Sequence, residues 1–199
     1  MSAPALLLLV GLLYIVLFGG LSLLRREGLS SQFAIEALII TAIASGLAAI
    51  TSFSIHPVLF LVLLYLITMR TRVLVDLGNL FARRGDFGRA ETIYNLASLL
   101  WPDRTGRLII KVNQTTAYLQ QGLHDEAIAS FQDILKSADQ GYLGVKYEAA
   151  VHYNLGVAYR RKELESQATR EFNAAIDTWP ASEYARQAEI ALSKKSAKK

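Results

Sequence analysis

Cysteine is absent from the 199 residues, which excludes disulfides, thiolate nucleophiles and Cys-ligated metal sites. Charge is scarce in the first third, where only Arg25, Arg26, Glu27 and Glu36 are ionised between Met1 and Met69. The other 130 residues hold nineteen Lys/Arg and fifteen Asp/Glu, and with them the whole net charge of +4. Four of those cations are Lys194, Lys195, Lys198 and Lys199, so the pI of about 9.3 describes a solubilising tail over residues 193–199 rather than a basic face. Nucleic-acid binding therefore lacks its electrostatic footprint. Also missing are a Gly-rich phosphate loop, a Ser/His/Asp set around a nucleophile elbow, and an HExxH helix. His56, His124 and His152 are scattered through the chain and read as packing or solvated groups rather than ligands. No enzyme activity, cofactor, metal or small-molecule substrate is expected.

Apolar sequence of bilayer length is present. Residues 4–24 carry no charge; at about 1.5 Å per residue they make roughly 31 Å of helix, close to the ~30 Å of a bilayer core. A cleaved signal peptide would need a positive start and a small-x-small site. This chain starts Met1-Ser2-Ala3-Pro4, and the run ends in Leu23-Leu24-Arg25-Arg26, which favours a retained span. A second apolar stretch, 33–69, is too long for one crossing and breaks around Thr51, Ser52, Ser54, His56 and Pro57. Spans over 33–50 and 54–70 follow, the last one short, with Arg70 and Arg72 snorkelling or the bilayer thinned. The positive-inside preference puts Arg25, Arg26, Arg70 and Arg72 on one side, with an even number of crossings between the two pairs. The expectation is a membrane anchor over residues 1–70 with about three spans, its N-terminus outside.

Small residues recur at helical spacing in the second span: Ala42 and Gly46, Ala44 and Ala48, Ser45 and Ala49. Such faces permit close helix approach, either inside the anchor or against a partner's transmembrane helix. Ala42, Gly46 and Glu36 are the candidate partner face. Glu36, near the cytoplasmic end, either reaches the headgroups or pairs with a partner or an arginine.

Beyond residue 70 the sequence repeats. A 34-residue helix pair with large apolar residues at positions 4 and 7, Gly at 8, an aromatic at 11, Ala at 20, an aromatic at 24, Ala at 27 and Pro at 32 is the tetratricopeptide (TPR) pattern. From Thr71 the chain supplies Leu74, Leu77, Gly78, Phe81, Ala90, Tyr94, Ala97 and Pro102. From Ala149 it supplies His152, Leu155, Gly156, Tyr159, Ala168, Phe172, Ala175 and Pro180, departing only at His152. The copy from Leu108 keeps Tyr118, Ala127 and Phe131 but has Thr115 for Gly and Ile134 for the last small residue. Gly at 8 and Ala at 20 are expected where paired helices touch, with the aromatics filling the gap to the next repeat. The fold class is all-α: transmembrane helices, then a three-repeat TPR solenoid over 71–192 (repeats 71–104, 108–141 and 149–182) closed by a capping helix over 182–192. The extra residues 105–107 and 142–148 lengthen loops or helix ends.

Such stacks bind other proteins along the concave surface of their first helices. The candidate protein-binding groove comprises Asn79, Arg83, Asn113, Thr116, Gln120, Tyr153, Asn154 and Arg160, with the three asparagines as a polar row able to bond a partner's backbone. A carboxylate clamp of the chaperone-binding type would need three cations where this chain has Val75, Ala150 and Asn154, so that ligand class is not expected.

Two phrases carry a further resemblance. Lys111-Val112-Asn113-Gln114, followed by Gly-Leu-His-Asp-Glu-Ala at 122–127, and the run 141–161 (GYLGVKYEAAVHYNLGVAYRR), resemble the cyanobacterial and plastid family of hypothetical chloroplast reading frame thirty-seven, related to the pale-yellow-green-seven proteins. The resemblance implies a non-enzymatic thylakoid-membrane factor for assembly or stability of photosystem I. Its TPR module would lie on the cytoplasmic (stromal-equivalent) side, with subunits of that complex as partners. The alternative is an accessory subunit of a bacterial membrane transport or secretion complex.

Overall fold

The computed structural model describes residues 2–24, 31–51, 55–138 and 143–196. Among them the chain is all-α. Ten helices follow in order: α1 (Ala3–Leu24), α2 (Ser31–Ile50), α3 (Pro57–Thr68), α4 (Arg70–Arg83), α5 (Phe87–Leu99), α6 (Arg104–Gln121), α7 (His124–Ala138), α8 (Val145–Arg161), α9 (Glu165–Thr178) and α10 (Glu183–Ser196).

Two helices are long and apolar enough to cross a bilayer, α1 over Ala3–Ser22 and α2 over Gln32–Ile50. Val16, Leu17, Ile39 and Ile43 stay on their outer surface, an arrangement that water penalises and lipid does not. The two helices meet where side chains shrink. A Cβ on Gly11 would collide with Thr41, and Ser45 Oγ donates to the Pro4 carbonyl at 3.0 Å. The face turned inward is therefore Ala37, Thr41 and Ser45, with Ala44 and Ala48 half-buried.

The third apolar segment, expected as a span over 54–70, is divided between α3 and α4, which are long and apolar enough for a crossing only together, as one broken span. His56 caps α3, its Nδ1 accepting from the Val58 N–H, and Pro57 occupies the first turn, where a missing N–H costs nothing. The helix then ends at Thr68 after 12 residues, about 18 Å of rise and well short of a bilayer core. At Met69 the chain turns by 72° into α4. Tyr14 donates to Thr68 Oγ1 at 2.7 Å, while Thr68 Oγ1 donates to the Leu64 carbonyl, so these two hydroxyls are satisfied among the apolar helices. Arg25 and Arg26, on which the side assignment rests, lie outside the described residues, as do 197–199 of the tail.

Beyond the elbow, α4/α5, α6/α7 and α8/α9 form three antiparallel helix pairs, and α10 covers the last. The small residue at position 8 lies where the paired helices touch, as expected, and the ring it meets is the aromatic at position 24. A Cβ on Gly78 would come within 2.5 Å of the Tyr94 ring, and one on Gly156 within 2.8 Å of the Phe172 ring. Each ring at position 24 thus fills the space left by the glycine of its own repeat, and it belongs to a core cluster shared with the next element. In the second repeat Thr115 replaces that glycine, is buried, and shares a 2.7 Å hydrogen bond with Ser130; this pair meets less closely than the other two. The extra residues lengthen helix starts: α6 begins at Arg104, capped by Asp103 through a 2.7 Å bond from the Gly106 N–H, and α8 begins at Val145.

His152, the one departure in the third repeat, has a partner. Its Nδ1 lies 2.8 Å from Glu171 Oε2, and Arg170 Nε donates to Glu171 Oε1 at 3.2 Å. Burial pushes the Glu171 carboxyl up, but the bonds from His152 and Arg170 outweigh it and hold the group below its usual 4.5. A carboxylate depressed in the folded state contributes stability that is full above the ordinary carboxylate range and is lost as pH falls through the folded value. In acid titrations between pH 5 and 3, Glu171→Gln is expected to flatten the loss of stability, read by urea midpoints on the full chain in detergent.

The turn between paired helices needs a left-handed residue at position 15. Gly85 (φ 77°) and Gly122 (φ 85°) supply it in the first two repeats, but Glu163 takes φ 60° in the third. Left-handed backbone costs a side-chain-bearing residue about 1–2 kcal/mol, partly offset by glycine's looser unfolded chain. Glu163→Gly should stabilise the solenoid by roughly 0.5–1 kcal/mol, measured as a raised urea midpoint at unchanged slope. Gly122→Ala should lower the same midpoint.

Candidate functional site: a tyrosine–amide groove and a charged elbow

The first helix of each pair lines a concave cavity of about 420 Å³. Of the eight residues expected there, Asn79, Arg83, Asn113, Thr116, Gln120, Tyr153 and Asn154 border it. Arg160 does not. Its guanidinium sits 4.6 Å above the Phe172 ring centroid, a cation–π contact inside the third repeat.

The asparagine row is largely self-satisfied. Tyr94 donates to Asn79 Oδ1 at 2.6 Å, Asn79 Nδ2 donates to Asn113 Oδ1 at 2.9 Å, and Asn113 Nδ2 donates to the Ile109 carbonyl at 2.7 Å. Each amide nitrogen carries two protons, so Asn79 and Asn113 each have a second N–H beyond these bonds. The row is thus a bracket with fixed geometry and donors to spare. Thr116 donates to the Val112 carbonyl at 2.8 Å, and Asn154 approaches Thr116 at 3.4 Å, the long limit for such a bond.

Tyr94 explains how the bracket is set. It reaches the groove from α5 because Gly78 leaves room for its ring. Burial pushes its hydroxyl up to about 12, so it remains a neutral donor across the physiological range. Tyr147, Tyr184 and Gln187 also border the cavity, and none of these, nor Tyr94, falls at the groove positions of the repeat frame. Tyr147 precedes the frame of the third repeat, and Tyr184 and Gln187 come from α10. Their one legible signal is a tyrosine and a glutamine three apart on a helix otherwise expected only to cover the stack. Tyr153 links the two ends, its ring 5.9 Å from Phe172 and 6.1 Å from Tyr184. Burial raises both Tyr153 and Tyr184, while the positive charge of Arg83 opposes the rise at Tyr184.

The candidate membrane face separates into two. Glu36 is paired with an arginine of its own chain: Arg70 holds it bidentately, Nη1 to Oε2 at 2.5 Å and Nη2 to Oε1 at 2.8 Å, with Gln32 Nε2 donating to Oε1 at 2.6 Å. An ionised carboxylate on a helix this apolar is tolerable only when paired. Arg70 and Gln32 also grip the end of the first repeat. Arg70 Nε donates to the Leu100 carbonyl at 3.0 Å and Gln32 Nε2 to the Trp101 carbonyl at 2.9 Å. Ala42, by contrast, is exposed, and a Cβ on Gly46 would meet nothing within 4 Å.

Fold and groove together define a helical-repeat protein of the tetratricopeptide type carrying apolar N-terminal helices. Among solved structures the chain is similar to the N-terminal domain of stress-induced protein-1 (STI-1) from C. elegans, at 18% identity, 62% coverage of this chain, 95% of that one and a TM-score of 0.49. No family model and no curated protein matches the chain.

Replacing Glu36 with Gln leaves Arg70 with two carbonyls and no counter-charge. Amide hydrogen exchange around residues 67–71 and 100–103 should then accelerate by about tenfold, with exchange in α8 and α9 unchanged.

Proposed function

We propose that this chain is a membrane-tethered, non-enzymatic scaffold whose tyrosine–amide groove binds an extended segment of a partner in the same bilayer. The observation that carries the reading is the groove itself: a cavity of about 420 Å³ bordered by four tyrosines, three asparagines and two glutamines. Tyrosine offers large contact area at small entropic cost, and side-chain amides pair with peptide groups as donors and acceptors at once. A chain anchored by α1 and α2 confines that groove to the membrane surface. Confinement raises the effective concentration toward partners in the same membrane and makes weak groove contacts sufficient.

The resemblance of residues 111–127 and 141–161 to the chloroplast reading-frame family supports a narrower reading. The partners are then photosystem I subunits, the membrane is the thylakoid, and the anchor over residues 1–70 holds the solenoid over 71–192 on the cytoplasmic side. The open Ala42 and Gly46 surface of α2 supports a second contact, with a transmembrane helix of the same complex.

Affinity purification of the full chain from gently solubilised membranes tests the general reading. Asn113→Ala combined with Tyr153→Ala should cut partner recovery by about tenfold or more, whereas Glu126→Ala, on the outer helix α7, should not. Equal recovery with both variants would count against the groove. A deletion strain that keeps photosystem II but loses photosystem I supports the narrower reading, and normal photosystem I levels refute it.

A further inference from the structure

The dipeptide Trp-Pro occurs at positions 31 and 32 of the first and third repeats, as Trp101-Pro102 and Trp179-Pro180. In the third repeat it ends a helix in the ordinary way. Trp179 is extended (φ −151°) and half-buried, and its N–H bonds to the Ala175 carbonyl at 3.4 Å. In the first repeat the same dipeptide does something else. Trp101 takes φ 48° and is 84% exposed. Left-handed backbone is unfavourable for tryptophan, and here ties to the anchor hold it. Gln32 grips the Trp101 carbonyl, and Arg70, locked to Glu36, grips that of Leu100. Pro102, next in sequence, is buried. The backbone is clamped onto the anchor while the indole is left uncovered.

Depth follows from the same bonds. Gln32 is the first residue of the α2 segment able to cross a bilayer, so the Trp101 peptide lies at the level where hydrocarbon gives way to headgroups. Leu99 is 73% exposed, and Leu24, which ends α1 at this end of the hairpin, is 80% exposed. An indole, with an apolar body and one N–H, is the side chain that concentrates at that boundary. The 72° turn at Met69 sends α4 off at a steep angle from α3, keeping the first repeat beside the membrane surface.

We propose that Trp101, with Leu99, inserts into the headgroup–acyl boundary of the bilayer that α1 and α2 cross, a second membrane contact that sets the tilt of the solenoid and the direction its groove faces. The inference rests on the membrane-tethered reading above.

The two tryptophans make the test internal. The full chain is reconstituted into phosphatidylcholine liposomes containing lipid brominated high on the acyl chain, washed with alkaline carbonate and floated. Trp179→Phe leaves Trp101 as sole reporter, and Trp101→Phe leaves Trp179. Emission from Trp101 should be blue-shifted and quenched about twofold, with Trp179 little affected. If the protein floats but Trp101 emits as in water and is not quenched, the interfacial contact is refuted and the anchor reading stands. If carbonate strips the protein from the vesicles, the anchor reading fails and takes this inference with it. Should Trp179→Phe fold poorly, Trp101→Cys labelled with a polarity-sensitive dye reads the same depth, because the chain has no other cysteine.

Discussion

The ring of Tyr94 occupies the volume that a side chain on Gly78 would take, and Phe172 does the same over Gly156. This complementarity decides how near two paired helices can lie, and much else depends on it. Because the pairs are close, Ala90, Ala97, Ala168 and Ala175 are completely covered, and successive pairs can stack into one curved surface. Because Tyr94 passes over a glycine, its hydroxyl emerges on the concave side and fixes Asn79, which in turn fixes Asn113. Packing and the shape of the groove therefore share a side chain. A methyl group at position 78 would disturb both.

The elbow between anchor and solenoid rests on a different force. Glu36 of α2 and Arg70, the first residue of α4, are 34 residues apart and meet through their side chains. Beside helices this apolar, an unpaired charge of either sign is costly, so the pair resists separation. Arg70 also donates to the carbonyls of Ile67 and Leu100, which joins three elements at one guanidinium. The direction of the groove relative to the anchor is set there, by a few hydrogen bonds rather than by a broad apolar contact.

Departures from the repeat pattern have local compensations. Thr115 in place of glycine acquires Ser130, and His152 in place of an apolar residue acquires Glu171. Neither partner belongs to the consensus, so each pairing becomes visible only with the helices side by side. Glu163 has no such compensation: it holds the turn conformation that Gly85 and Gly122 adopt in the other repeats.

Several features are legible in the order of residues. Glycine, alanine and aromatic spacing encodes helix separation directly, which is why the three pairs and the covering helix follow from the repeat pattern alone. Run length and hydropathy likewise mark α1 and α2, since crossing a bilayer is a matter of length and polarity. Seven of the eight residues that the repeat frame places on the inner face border the cavity, because one face of a helix recurs at fixed intervals. Tertiary structure decided what depends on residues far apart meeting. It shortened the third apolar helix to 12 residues and turned Arg160 onto Phe172. It also brought Tyr94, Tyr184 and Gln187 into the groove and joined Glu36 to Arg70. Periodicity reports the face a residue occupies on its own helix, but a hydrogen bond or a ring contact depends on which other helix comes to lie against that face.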